Sequence, residues 1–369
     1  MADPNEEAPP PPQAEIDVAV LRGIKTLRLE KRRLGPPAAN EVQVAINCVG
    51  ICGSDMAYWA KGMAGGFLPL DFSEEGLCKG YMGQMGHECA GTVQKVGSSV
   101  KHLKVGDRVA MEPGVPCGDC SACRQGRYNL CPQVRFIGSA VNKVPGAMCT
   151  LFNHRASYCY KLPDSVSLEE GAMLEPMCVS LHAVTRSKVG PGTHVLVSGA
   201  GPIGLMTALC AKVAGASTVT ITDVMDAKLA KAAEIGVEHC LRADTPDLLA
   251  TMEQTIGRKF DFCFECCGVA AALETCIKAA ASGGTVCVVA NFPNSTPVPL
   301  QEAARREIDI IGVYRYCNLY PKALSLLETG KVNLKPLISK TFALEEANTA
   351  FEYFGSGEPV KVIIRPTPA

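Results

Sequence analysis

The sequence predicts an α/β protein in which a β-rich domain is interrupted by a doubly wound parallel-sheet domain. Three observations support this fold class. Residues 18–109 contain short alternating or apolar runs separated by glycines, which is typical of β-strands. Residues 194–291 alternate apolar strands with Ala-rich helical stretches, as parallel sheets covered by helices do. Residues 317–369 then contain a helix and a last strand, VKVIIR, which indicate a return to the first domain.

Composition limits the class of protein. The 369 residues suffice for about two domains. The formal net charge of −1, from 36 Lys+Arg against 37 Asp+Glu, gives no reason to expect nucleic acid or a membrane as partner. There are 19 cysteines and no secretory signal, so we do not expect a disulfide scaffold. We expect a cytoplasmic protein with reduced thiols, some of which are candidate metal ligands.

Two segments have an unusual composition. Residues 1–15 are Pro-rich and acidic with no apolar face, which predicts a disordered tail. The uncharged stretch from Val189 to Ala211 is long enough for a membrane helix, but its five glycines, two prolines and His194 divide it into strand, turn and helix. We therefore do not expect a membrane span.

A glycine-rich turn follows the first strand of the inserted domain. The motif GxGxxG lies between an apolar strand and a helix, where it permits a tight turn, the approach of a pyrophosphate and close helix–strand packing. The next strand ends at Asp223, whose carboxylate favours NAD over NADP, although Lys228 could neutralise a phosphate. A glycine turn without cofactor remains the alternative. The turn contains Gly199, Gly201, Pro202, Ile203 and Gly204.

Four cysteines lie in a Gly/Pro-rich excursion over residues 113–150. Their spacing is C-x2-C-x2-C-x7-C, and four thiolates on short spacers can surround one tetrahedral zinc ion. Such a site is closed to substrate, so its role would be structural, supporting a loop too polar to form its own core. The alternative is four unrelated free cysteines. The predicted ligands are Cys117, Cys120, Cys123 and Cys131.

A second possible metal site combines separate segments. Cys52 follows a strand in VGICGSD, and His87 and Glu88 lie together in GHECAG. These residues could bind zinc and leave a fourth position open, as catalytic zinc requires. Glu175 lies in an apolar phrase, where a buried carboxylate needs a partner such as a metal or its bound water. Spacing alone also allows a core thiol, a surface histidine and a solvated acid.

Phrases over about residues 16–366 resemble the zinc-containing medium-chain dehydrogenase/reductase superfamily. They include GHECAGTVQKVG, VGDRVAMEPG, the four-cysteine lobe and VLVSGAGPIG. VGICGSDMAYW, GRYNLCP, YKLPDSVSLEEGAMLEP and REIDIIGVYRYCNLYP are similar to its polyol branch, the sorbitol (L-iditol) dehydrogenases. The resemblance implies a GroES-like catalytic domain over 16–178 and 317–369, with a structural zinc lobe at 113–135 and a Rossmann NAD-binding domain at 179–316.

The resemblance also implies a role for individual residues. Cys52, His87 and Glu88 would bind the catalytic zinc, one of two zinc ions per chain, while Glu175 would lie beside the zinc-bound water. Ser54 lies next to the metal and would help to carry the proton outward. The implied polyol pocket contains Tyr58, Glu175, Arg315 and Tyr316. The implied NAD contacts are Ile203, Asp223, Lys228, Val289, Ala290, Asn291, Val313, Tyr314 and Arg315.

Three departures from the branch border the pocket. The segment between Tyr58 and His87 is longer than usual, Ala57 replaces a common histidine, and Val141-Asn142 stands where a different substrate loop is expected. These departures affect which polyol is preferred and leave the metal and hydride chemistry unchanged.

The implied activity is the NAD-linked oxidation of a secondary alcohol of a polyol (sorbitol, L-iditol or xylitol) to the ketose, and the reverse reduction. Zinc would activate the hydroxyl, and the nicotinamide would accept the hydride. One alternative is another zinc alcohol dehydrogenase of the superfamily, such as L-threonine 3-dehydrogenase or a pentitol dehydrogenase. A second is a non-catalytic nucleotide-binding protein. Family analogy further implies a homo-oligomer, either a tetramer or a dimer.

Overall fold

Two large sheets organise the chain in the computed structural model, which describes residues 13–64, 68–73, 83–292 and 295–367. Strand β1 begins at Ala14, so the last two residues of the predicted tail belong to a strand. Residues 1–12 of that tail, and 65–67 and 74–82 of the longer segment before His87, lie outside the described residues.

The first part of the chain is mostly strands, as predicted. Its helices are α1 (Gly53–Lys61), α2 (Ser121–Arg124), α3 (Leu168–Ala172) and α4 (Leu174–Ser187). Its strands are β1 (Ala14–Gly23), β2 (Thr26–Leu34), β3 (Glu41–Gly50), β4 (Met63–Ala64), β5 (Leu68–Pro69), β6 (Glu88–Val96), β7 (Arg108–Met111), β8 (Gly114–Val115), β9 (Arg135–Phe136), β10 (Leu151–Arg155) and β11 (Cys159–Lys161).

The inserted domain alternates strands and helices. Its strands are β12 (His194–Ser198), β13 (Thr218–Asp223), β14 (His239–Arg242), β15 (Phe260–Glu265), β16 (Ala280–Val288) and β17 (Asp309–Gly312). Its helices are α5 (Pro202–Val213), α6 (Asp226–Glu234), α7 (Leu248–Ile256), α8 (Ala270–Ala279) and α9 (Leu300–Arg305). All described strand pairs in this sheet are parallel, in the order β14-β13-β12-β15-β16-β17, which is the doubly wound arrangement of a Rossmann domain.

The chain then returns to the first sheet. The last elements are α10 (Tyr320–Glu328), β18 (Ile338–Ala343), α11 (Ala347–Gly355) and β19 (Lys361–Arg365). Within the described residues the first sheet has seven strands in the order β11-β7-β6-β3-β19-β18, with β10 also paired to β3. Because β19 lies directly beside β3, the predicted interruption of one domain by another is confirmed.

Helix α4 joins the cores of the two domains. Its buried residues Met177 and Leu181 belong to a cluster that contains Ala90 of the first sheet and Val197 of the second. The stretch predicted to be strand, turn and helix forms β12 and α5, and in the described part of the chain no helix is long and apolar enough to cross a membrane. All 18 cysteines that the structure describes are free thiols.

Candidate functional site

Cys52, His87 and Glu88 meet where two neighbouring strands end and begin. Strand β3 ends at Gly50, which lies opposite Glu88, the first residue of β6. The thiol sulfur, a ring nitrogen and a carboxylate oxygen of the three residues all lie within 4.8 Å of one another. His87 and Glu88 are buried, and Cys52 is half-buried. One sulfur, one nitrogen and one oxygen donor suit a zinc ion that keeps a fourth position open.

Asp55 ties the segments of this cluster together. Its Oδ2 accepts the backbone N–H of Cys52 at 3.1 Å, and its Oδ1 accepts that of Gly86 at 3.3 Å. The same Oδ1 lies 3.8 Å from Nδ1 of His87. A carboxylate beside a metal-binding histidine orients the ring. The sequence analysis missed Asp55. A signal was present, because an acid three residues after the N-cap residue, here Cys52, is typical of a capping box.

Lys361 holds the carboxylate of Glu88. Its ammonium donates to Oε1 at 2.9 Å and Oε2 at 2.7 Å, and its third bond, of 3.0 Å, goes to the carbonyl of Ile51. Both side chains are buried, and Lys361 reaches Glu88 from the last strand, β19. Burial lowers the pKa of Lys361, but Glu88, with help from Cys52 and Glu175, raises it by more, so that the pKa is raised overall. The two hydrogen bonds from Lys361 therefore fix the orientation of the Glu88 side chain.

The polar groups predicted to line the substrate pocket surround this cluster. Glu175 is buried in the first turn of α4, and burial raises its pKa to about 7, opposed by His87 and reinforced by Glu88. The hydroxyl of Tyr316 is buried beside Glu175, and a hydrogen bond between the two side chains opposes the rise in the pKa of Glu175. Helix α1 carries Ser54, half-buried in its first turn, and Tyr58, whose pKa burial raises to about 12.

Arg315 packs against Phe136, the same ring that lies near His87. Its guanidinium carbon is 4.0 Å from the centre of the Phe136 ring, which in turn is 5.5 Å from the ring of His87. Its Nη1 is buried and has no hydrogen-bond partner among the described residues. A buried donor without a partner is costly. It is therefore a candidate to bind a substrate hydroxyl.

The four cysteines of the lobe also converge. The sulfur of Cys117 lies 3.9 Å from that of Cys123 and 3.6 Å from that of Cys131, and Cys120 lies 3.5 Å from Cys123. The backbone N–H of Cys120 donates to the sulfur of Cys117, and hydrogen bonds from Cys120 and Asp119 lower the pKa of Cys117 to about 6. Four sulfur donors at these distances fit one tetrahedral zinc ion.

The glycine turn between β12 and α5 has the shape that a pyrophosphate needs. Gly199 has a φ of +102°, a backbone conformation that is unfavourable for residues with a side chain. A Cβ at Gly204 would collide with the carbonyl of Gly199, whereas a Cβ at Gly201 would meet no atom within 4 Å. Gly201 therefore faces open space at the N-terminus of α5, where free N–H groups favour an anion. Pro202 and Ile203 begin that helix.

The other predicted cofactor residues lie at the same edge of the parallel sheet. Asp223 ends β13, and its Oδ2 accepts the N–H of Ala200 in the glycine turn at 2.7 Å. Lys228 is half-buried on α6. The residues after β16 and β17 complete this edge, where such sheets bind their ligands. They are Val289, Ala290 and Asn291, and Val313, Tyr314 and Arg315.

Two family models match the chain. "Alcohol dehydrogenase GroES-like domain" covers residues 38–164 and "Zinc-binding dehydrogenase" covers residues 202–329. The sorbitol dehydrogenase of Gallus gallus is 44% identical over 345 residues, which cover 93% of this chain and 94% of that protein. That of Homo sapiens is 44% identical over 356 residues, with 95% and 96% covered.

Solved structures agree with this relationship. The crystal structure of 2R,3R-butanediol dehydrogenase from Bacillus subtilis superposes with a TM-score of 0.85 at 29% identity, covering 95% of this chain and all of that one. Fold, donor sets and sequence identity lead to the same assignment. The chain belongs to the zinc-containing medium-chain dehydrogenase/reductase superfamily, in its sorbitol dehydrogenase branch.

Proposed function

We propose that the protein oxidises a secondary alcohol of an open-chain polyol (sorbitol, L-iditol or xylitol) to the ketose with NAD, and catalyses the reverse reduction. The observation that carries this proposal is the cluster of Cys52, His87 and Glu88, which lies beside the buried carboxyl of Glu175 and the hydroxyl of Tyr316. The identity of 44% to sorbitol dehydrogenases over nearly the whole chain supports the polyol as substrate.

Zinc at this cluster would act as a Lewis acid on the substrate hydroxyl, and the nicotinamide would accept the hydride. The protein's own residues hold the reactants and manage the proton. Asp55 and Lys361 fix His87 and Glu88, while the guanidinium of Arg315 would bind a hydroxyl next to the reacting carbon. Glu175, with a pKa of about 7, can accept or donate a hydrogen bond near neutral pH. Ser54, half-buried on α1, would pass the proton outward.

Asp223 favours NAD over NADP in this proposal. Its carboxylate ends β13 and is hydrogen-bonded to the glycine turn, so a ribose at that turn would lie near a fixed negative charge. Such a charge accepts hydrogen bonds from ribose hydroxyls and repels a 2′-phosphate. We therefore expect a higher kcat/KM with NAD than with NADP. The proposal also includes two zinc ions per chain, with the second held by the four-cysteine lobe.

The decisive experiment is a substrate screen on the purified, zinc-replete protein. We expect turnover of sorbitol, L-iditol or xylitol with NAD, and little with L-threonine. Activity on threonine alone would contradict the polyol assignment. Cys52→Ala should lose turnover and one of two zinc ions per chain, measured by metal analysis. Cys240→Ala, a change at a half-buried thiol outside both clusters, is the matched control and should keep both zinc ions and activity.

We also propose that the protein works in the cytoplasm as a homo-oligomer, a tetramer or a dimer. The reducing cytoplasm would keep the lobe's four thiols available to a metal. Strand β17 supports the oligomer because it is the last strand of its sheet and, among the described residues, has a partner only on the β16 side. Ile310 on β17 and Leu300 on α9 are large apolar side chains that are exposed in the isolated chain. An open strand edge of this kind can pair with a second copy.

A further inference from the structure

The four-cysteine lobe (residues 113–135) contacts the segment that carries the pocket residues (residues 314–318). Nδ2 of Asn129 donates to the carbonyl of Tyr314 at 2.9 Å. At the other end of the segment, Nδ2 of Asn318 donates to the carbonyl of Gly126 at 2.7 Å, and its backbone N–H donates to the hydroxyl of Tyr128 at 2.8 Å. The lobe therefore holds this segment on both sides of Arg315 and Tyr316.

The segment needs such support because its backbone is strained. Arg315 has φ +54° and Asn318 has φ +57°, and both therefore lie in the left-handed region. This conformation is unfavourable for a residue with a Cβ, least so for asparagine, and persists only where surrounding contacts impose it. The three hydrogen bonds between the lobe and the segment are made at these positions. Two involve Asn318 itself, and the third involves Tyr314, the residue before Arg315.

The lobe is in turn anchored to the catalytic domain through Tyr128. The Tyr128 hydroxyl donates to Oε1 of the buried Glu112 at 2.7 Å, and the Tyr160 hydroxyl donates to Oε2 at 2.8 Å. Tyr160 stacks on Tyr320 with ring centres 4.9 Å apart. The same hydroxyl of Tyr128 thus connects the segment 314–318 to a buried carboxylate in the core.

A small cavity lies between the lobe and the segment. Its volume is about 10 Å³, and Asn129, Arg315 and Tyr316 are among its lining residues. Two of them have a buried polar atom without a hydrogen-bond partner among the described residues, Oδ1 of Asn129 and Nη1 of Arg315, whereas the hydroxyl of Tyr316 interacts with Glu175. One water molecule needs about this volume and two to four polar partners. An ordered water here would connect Oδ1 of Asn129 in the lobe to Nη1 of Arg315.

We infer that the four-cysteine lobe is a positioning element of the substrate site. Asn129, Tyr128 and Asn318, together with one buried water, hold the segment 314–318 in its strained conformation and so place Arg315 and Tyr316 for the polyol. A metal in the lobe would fix the loop that carries Asn129, because Asn129 lies between the ligands Cys123 and Cys131. The role of Arg315 and Tyr316 in polyol binding rests on the proposed function, whereas the clamp itself does not.

The first test measures backbone hydrogen exchange by mass spectrometry in the zinc-replete protein. Asn318→Asp removes the donor to Gly126 while keeping a residue type that tolerates positive φ. Asn129→Leu removes the donor to Tyr314 at similar volume. In both variants we expect amides of residues 313–319 to exchange at least about fivefold faster, the ratio given by losing a hydrogen bond of ordinary strength. Asn333→Asp, the same chemical change at an exposed position outside the lobe, is the control.

The second test separates positioning from general stability. In the Asn318→Asp variant, KM for the polyol should rise at least about fivefold while kcat changes less than about twofold, since the lost interaction orients groups that bind substrate. Unchanged exchange at 313–319 relative to the Asn333→Asp control would overturn the clamp. Faster exchange with unchanged KM would overturn its link to substrate. If the wild type oxidises no polyol, the proposed function fails, and the exchange experiment still decides the clamp.

Discussion

Lys361 illustrates how one buried side chain organises the metal cluster. An ammonium has three protons, and all three have oxygen partners here, two on Glu88 and one on the backbone of Ile51. Removing two charges from water is expensive, and only close pairing with complete hydrogen bonding compensates for it. The pair therefore depends on both partners, and losing one leaves the other charged and buried.

This dependence predicts a large stability loss in Lys361→Met. The variant keeps the length of the side chain but leaves Glu88 without a cation, so the free energy of unfolding of the metal-free protein should fall by about 3–5 kcal/mol. Urea unfolding measures this. Lys335→Met is the control, because Lys335 is exposed and lies 3.8 Å from Glu170, and such surface pairs contribute at most about 1 kcal/mol.

The double variant Lys361→Met/Glu88→Gln checks the reason for that loss. Removing both charges should recover a large part of the lost stability, because no uncompensated charge remains buried. A single variant as stable as the Lys335→Met control would show that Glu88 does not need its partner. A double variant less stable than Lys361→Met would show that the lost packing, and not the charge, is responsible.

Partners of this kind could not be predicted from the sequence. The motifs GHECAG and VGICGSD identify Cys52, His87 and Glu88 once their family resemblance is considered, and the structure brings their donor atoms together. Lys361 lies 273 residues from Glu88 and reads as a polar residue in the strand VKVIIR. No local pattern connects the two, since the contact exists only because β19 pairs with β3.

At the scale of elements, the turn between β12 and α5 separates packing from cofactor binding. Gly204 packs against the backbone of Gly199, whereas Gly201 faces open space. Gly204→Ala should therefore destabilise the inserted domain by about 1–3 kcal/mol, the usual effect of overpacking. Gly201→Ala should leave the melting temperature unchanged, because its φ of −73° suits alanine, and should raise the Kd for NAD at least about tenfold.

These two variants serve as each other's control. Thermal unfolding gives the stability of each variant, and titration with NAD followed by fluorescence gives the Kd of each. If Gly201→Ala binds NAD as the wild type does, the pyrophosphate does not approach this turn. If Gly204→Ala is as stable as the wild type, the turn relaxes and the close packing contributes little.

Elements with a regular hydrophobic pattern could be predicted from the sequence, whereas the buried helix that connects the two domains was missed. The alternation of strands and helices predicted for residues 194–291 is present in the inserted domain, although residues 280–284, which look helical in sequence, belong to strand β16. Helix α4 was not predicted. Ten of its 14 residues are buried, because it lies between two domains, so it shows no single apolar stripe. Glu175 on that helix was found from its apolar surroundings, but not its helical position.

At the scale of the whole molecule, the open edge of β17 predicts an assembly. If a second copy covers this edge, Ile310→Lys should place a charge in the interface and shift the protein to a smaller species. Sedimentation velocity measures the change. Lys340→Glu, on β18 of the other sheet, is the control and should keep the wild-type assembly. An Ile310→Lys variant that sediments as the wild type does would place the interface elsewhere.

The overall architecture was predictable because both chain ends carry strands and the middle carries strand–helix repeats. The exact limits of the domains stay predictions. The position of the lobe against residues 314–318 was not predictable, since it depends on three side-chain hydrogen bonds between segments about 190 residues apart. Asn129 and Asn318 lie in phrases that carry the family resemblance, but nothing in either phrase indicates that the two segments contact each other.

The place of β19 at the end of the chain has a consequence for biosynthesis. The ribosome makes Cys52, His87 and Glu88 early, but Lys361 emerges only after the inserted domain and the rest of the chain. Until β19 inserts beside β3, the carboxylate of Glu88 lacks the cation that fixes it. The catalytic metal centre is therefore completed only after β19 has been made, and a nascent chain stalled before residue 361 would present an unfinished site.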